Sequence, residues 1–169
     1  DLNSWHQNRI SNLIIKKLFG TVSGKKIYIM GFAFKANTND TRESAAIKIC
    51  NDLLNEGAIL YIHDPKVDQG QISKVLYSNE KQNNNYSIEE NNHGQKKSWQ
   101  VVENIFEGLK SADAAVILTE WEDYSQIDWR KASEIMRKPS WVFDTRSITC
   151  GNDLSKNGIN LWRIGDGTI

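Results

Sequence analysis

Apolar residues in this chain fall into short continuous runs, separated by stretches where they recur every three or four positions. The runs Ile27–Phe32, Ala58–Ile62, Ala114–Thr119, Trp141–Asp144 and Ile159–Ile164 are too short for helices. Their β-branched and aromatic content predicts strands, the first buried on both faces. A sixth, shorter strand is expected at Trp99–Val102. In the stretches between, Ile10, Leu13, Ile14, Ile15, Leu18 and Phe19 have helical spacing that ends at Gly20. Ala46, Ile49, Cys50, Leu53 and Leu54 mark a second helix ending at Gly57. Asp40-Thr41-Arg42-Glu43 places a cap residue three positions before a glutamate, so this helix is expected to start near Thr41. Two more helices are expected at Asn104–Ser111 and Asp128–Arg137, the latter broken by Pro139.

Strands alternating with helices predict an α/β fold, a Rossmann-like, mainly parallel sheet with helices on both faces. The pattern fails between Ser78 and Lys97, "SNEKQNNNYSIEENNHGQKK", which is asparagine-rich and poor in apolar residues. So little apolar area cannot offset the entropy of ordering, and a flexible insertion is expected there. With 169 residues, the chain suits one domain with a real core. Its 21 basic and 21 acidic residues cancel, so no overall field recruits nucleic acid or an anionic membrane. The longest wholly apolar run, Ala114–Leu118, is far below membrane-spanning length. Cys50 and Cys150 make no disulfide framework, which points to a reducing, cytoplasmic setting. A first residue other than methionine, followed directly by helical sequence, reads as a piece of a longer protein.

In an open parallel sheet, ligands bind beyond the carboxyl ends of the strands. Lys35, Asp64 and the Asp144-Thr145-Arg146 triplet fall at such ends. Lys35 and Arg146 are suited to an anionic group such as a diphosphate, helped by the start of the following helix. The plain alternative is a solvated loop lysine and arginine. Asp64 either takes a ribose or shapes the Asp64-Pro65 turn. It lies far from Gly31, and the three-glycine dinucleotide pattern is missing. Asp40 reads as a helix cap. His6, His63 and His93 have no metal-ligand spacing, so no metal is expected. Cys50 reads as core packing, and nothing near Cys150 in sequence supports catalysis. Trp121, Trp129, Trp141 and Trp162 read as core or interface aromatics. No catalytic set is evident.

Four stretches, "GFAFKANTNDTRES", "YIHDPKV", "AAVILTEWEDY" and "WVFDTR", occur in the order found in UDP-glucose 6-dehydrogenases, and the chain resembles that family over nearly its whole length outside the insertion. The resemblance implies that residues 1–20 are the end of a central dimerisation helix and 21–169 the carboxyl-terminal UDP-sugar-binding domain, with the insertion at 78–97. It implies a full-length enzyme that oxidises UDP-glucose to UDP-glucuronate with two NAD. Its NAD would be bound mainly by an amino-terminal domain, and the protein would be a homo-oligomer. Phe34 and Lys35 match the family's substrate-binding pair, Arg146 its UDP-sugar arginine, and Arg42 an arginine reaching across the cleft to NAD. The family's catalytic cysteine motif has no match, so the chain by itself is expected to be inactive. The same domain of a UDP-N-acetylmannosamine or GDP-mannose dehydrogenase, or a non-catalytic assembly module, are the alternatives.

Overall fold

The computed structural model describes residues 2–83, 98–150 and 153–165. Helix α1 (Leu2–Lys17) leads into strand β1 (Lys26–Met30), helix α2 (Ala45–Asn55) and strand β2 (Ile59–His63). Helix α3 (Gln69–Asn83) precedes strand β3 (Trp99–Val101), helix α4 (Ile105–Leu109) and strand β4 (Ala114–Ile117). Helices α5 (Glu122–Ser125) and α6 (Trp129–Ile135), strand β5 (Ser140–Asp144), a 3₁₀ turn at Ser155–Asn157 and strand β6 (Ile159–Arg163) complete the order. All described strand pairs are parallel, in the order β3-β2-β1-β4-β5-β6. Right-handed crossovers in that order put α2 and α3 on one face and α4 and α6 on the other. The packing agrees: α2 touches α1 and α3, and α4 touches α6.

The central strands are the most apolar because both of their faces are covered. Ile27, Tyr28, Ile29 and Met30 of β1 and all four residues of β4 are fully buried. Tyr28 lies against α4, where a Cβ on Gly108 would stand only 2.3 Å from the tyrosine ring, so only glycine lets that helix approach. The helix face foreseen for α2 is buried at Ala46, Ile49, Cys50 and Leu53.

Besides the short helix α5, which the sequence pattern did not announce, the structure departs from the sequence expectations in two places. Helix α2 begins at Ala45, not near Thr41. Ser44 is its cap, accepting a hydrogen bond from the Ala46 N–H at 3.2 Å and donating to the Phe32 carbonyl at 2.8 Å. Glu43 stands at φ +59°, a left-handed backbone that cannot belong to a helix, and Asp40 is turned to Arg42 instead of capping. The second departure is α3, which no periodic run announced. Its inward side rests on Ile72 and Leu76, and its start is a reciprocal cap. Asp68 Oδ1 accepts from the Gln71 N–H at 2.8 Å, and Gln71 Oε1 accepts from the Asp68 N–H at 3.2 Å. The helix extends to Asn83, into the asparagine-rich stretch; the rest of the expected insertion, 84–97, lies outside the described residues.

Candidate functional site

The strand order reverses between β1 and β4, so a crevice opens beyond their carboxyl ends. The chain leaves β1 through Gly31 at φ +99°, where an added Cβ would lie 2.4 Å from the Thr119 side chain. Thr119 hydroxyl donates to the Ala33 carbonyl at 2.8 Å, tying this loop to the end of β4. Asp64, just after β2, ties it on the other side. Its Oδ2 accepts from the Phe32 and Ala33 N–H groups at 2.8 and 2.9 Å and from Trp121 Nε1 at 3.1 Å. Its Oδ1 accepts from the Lys66 and Val67 N–H groups at 2.8 and 3.0 Å. One carboxylate therefore joins the loops after β1, β2 and β4. It does shape its own turn, and Trp121 is more than core filling.

This arrangement does not fit a dinucleotide on the β1 loop. The backbone N–H groups that would face a pyrophosphate are turned to Asp64, and the carboxylate that would take ribose hydroxyls is filled by protein donors.

On that platform the loop becomes exposed at Phe34 and Lys35. Phe34 presents its ring at 45% exposure. Arg146, two residues beyond β5, folds back towards it. Its Nε donates to the Leu118 carbonyl at 3.0 Å and its Nη2 to the Phe34 carbonyl at 3.2 Å. The turn below is fixed by Asp144, fully buried. Its Oδ1 accepts from the Arg146 N–H at 3.0 Å, and its Oδ2 from the Thr149 N–H and hydroxyl at 2.8 and 2.6 Å. The loops after β1, β4 and β5 thus meet at the Arg146 guanidinium, which is tied to the Leu118 and Phe34 carbonyls, with Lys35 next in the chain.

The sequence reading missed Glu120. Its Oε1 accepts from the Ala36 N–H at 3.0 Å, and its Oε2 lies 3.4 Å from Arg146 Nε. Burial pushes its carboxyl up, but hydrogen bonds from the Ala36 N–H and its own N–H, with Arg146 and Lys35 nearby, more than offset this. It is held below the usual carboxylate range. The only sequence signal was an acid directly after a strand, in "TEW".

Arg42 takes a different partner. Its guanidinium binds Asp40 at 2.9 Å on the exposed part of the loop, and this hydrogen bonding draws Asp40 down to about 2. Elsewhere, the Tyr124 hydroxyl donates to the His63 carbonyl at 3.0 Å and lies 2.9 Å from His63 Nδ1. His63 Nδ1 therefore carries the proton of that second contact. His63 lines a cleft of about 690 Å³ at the ends of β2 and β3, with Lys66, Val102 and Glu103. Cys50 is buried, which pushes its thiol far up, and Cys150 is exposed beside the Arg163 guanidinium. Among the described residues no His, Cys, Asp and Glu group is arranged to hold a metal, and no helix is long and apolar enough to cross a membrane.

Comparison with known proteins shows the family. The UDP-glucose 6-dehydrogenase of Drosophila melanogaster is 40% identical over 165 residues, covering 98% of this chain and 33% of that protein. The UDP-glucose 6-dehydrogenase 1 of Glycine max is 37% identical, over 97% of this chain and 34% of its own length. The chain thus spans about a third of the curated relatives it matches. Among solved structures, the NDP-N-acetyl-D-galactosaminuronic acid dehydrogenase of Methanosarcina mazei Go1 superposes with a TM-score of 0.68 at 21% identity, over 95% of this chain and 28% of that one. A UDP-glucose dehydrogenase from Pyrobaculum islandicum gives 0.64 at 23%, over 94% and 29%; both show the shared fold. Residues 28–150 match the UDP binding domain of the UDP-glucose/GDP-mannose dehydrogenase family, and the chain belongs to that family.

Proposed function

We propose that this chain is the UDP-sugar-binding domain of a UDP-glucose 6-dehydrogenase, and that the crevice between β1 and β4 holds the nucleotide. The observation that carries this is the Arg146 guanidinium, which reaches from the loop after β5 to the carbonyl of the exposed Phe34, next to Lys35 in the chain. Lys35 and the outer N–H groups of Arg146 take the diphosphate, and Phe34 offers an apolar surface to the rest of the ligand. The whole protein, on this reading, oxidises UDP-glucose to UDP-glucuronate with two NAD. The identities of the relatives support it. NAD would be held by a further domain, with Arg42 of this chain turning from Asp40 towards it. Helix α1, with Trp5 exposed on it and Phe19 exposed in the turn that follows, would supply a surface for a homo-oligomer.

Calorimetric titration tests the reading. The chain is expected to bind UDP, and Lys35→Ala and Arg146→Ala each to weaken binding by about 1.5–3 kcal/mol, the worth of a hydrogen bond to a charged group. Binding of NAD without binding of UDP would contradict it.

A further inference from the structure

Glu120 places a negative charge in a site read as anion-binding. One of its oxygens is fully used: Oε1 accepts the Ala36 N–H at 3.0 Å, directly after Lys35 in the chain. The other is not. Oε2 is buried without a hydrogen bond, 3.4 Å from Arg146 Nε, whose hydrogen goes to the Leu118 carbonyl. A buried carboxylate oxygen with no donor is costly unless cations stand beside it. Arg146 fills that role from 3.4 Å, and Lys35 adds a weaker attraction.

Two consequences follow from this placement. The peptide joining Lys35 to Ala36 and the Arg146 guanidinium, from the loops after β1 and β5, both meet one carboxylate. The inner edge of Arg146 is fixed by the Leu118 and Phe34 carbonyls, leaving Nη1 and the rest of Nη2 for a ligand. The carboxylate also cancels one of the two cations, which lowers the pull of the crevice on a bare anion.

We propose that Glu120 is the positioning residue of the nucleotide site, aligning Lys35 with Arg146 and moderating their charge so that a nucleoside diphosphate is favoured over a simple polyanion. The inference rests on the nucleotide reading given above. Glutamine separates its two parts, because Glu120→Gln keeps an acceptor for the Ala36 N–H and removes the charge, whereas Glu120→Ala removes both.

The test titrates parent, Glu120→Gln and Glu120→Ala with UDP and with inorganic pyrophosphate at two salt concentrations, and records the Ala36 amide NMR signal without ligand. The Ala variant is expected to lose about tenfold or more in UDP affinity and to shift the Ala36 amide. The Gln variant is expected to keep UDP affinity within about threefold, keep the Ala36 signal, and bind pyrophosphate more tightly than the parent. Its pyrophosphate affinity should also fall more steeply with salt. A merely structural acid would not produce that opposite response. Equal UDP weakening in both variants, or none in either, would overturn the proposal, as would unchanged pyrophosphate affinity in the Gln variant. If the parent binds no UDP, the nucleotide reading fails separately, and the pyrophosphate and Ala36 measurements still decide the alignment and charge roles.

Discussion

Asp64→Ala is expected to destabilise the fold by about 3–5 kcal/mol in denaturant unfolding, among the largest effects of any single substitution here. The loss would leave the Phe32 and Ala33 N–H groups, both in buried residues, and Trp121 Nε1 without their acceptor. The turn donors lose theirs as well, exposed Lys66 and buried Val67. Asp64→Asn should rescue only part of the loss. An amide has one acceptor oxygen, which can serve the turn or the β1 loop but not both, and its NH₂ would face donors. A change within about 1 kcal/mol for the alanine variant would show that Asp64 does not join the three loops.

Gly31→Ala is expected to cost about 3 kcal/mol or more, and to displace the loop that presents Phe34 and Lys35. The residue sits at φ +99°, and an added Cβ would stand 2.4 Å from Thr119 Cβ and 2.8 Å from the Thr119 backbone nitrogen. The backbone of β4's end cannot rotate away as a flexible side chain would. Gly24→Ala is the matched control: φ is +71° there, but nothing lies within 4 Å of the new Cβ. It should cost only the conformational penalty, about 1 kcal/mol. Equal unfolding midpoints for the two variants would show that contact with Thr119 is not what requires glycine.

The central strands β1 and β4 were legible because burial on both faces demands uninterrupted apolar runs, and such runs stand out over a few residues. All six appear within a residue or two of the expected positions. Helix α3 was hidden because only a few inward residues, among them Ile72 and Leu76, hold it before the sequence turns polar; its one local signal was the Asp68–Gln71 cap. The start of α2 was misplaced because "DTRE" carries the residue types of a cap while the backbone at Glu43 is left-handed and Ser44, bonded to Phe32, is the cap. The site divides in the same way. Phe34, Lys35 and Arg146 were visible from strand ends and motif resemblance. Asp64 and Glu120 act on partners far away in sequence, so their roles emerge only when the sheet sets the loops side by side. The missing glycines of the opening loop have a physical counterpart in Asp64, which takes up the amides that a dinucleotide would need.

The central claim, that the crevice between β1 and β4 holds the nucleotide, is tested most directly by mapping amide NMR shifts of the labelled chain during titration with UDP. Saturable changes are predicted at Gly31–Ala36, Leu118–Trp121 and Thr145–Ser147, and they should vanish in the Lys35→Ala/Arg146→Ala double variant. Changes concentrated instead at Lys66–Gln69 and Val101–Glu103, around the cleft lined by His63, or persisting in the double variant, would contradict it.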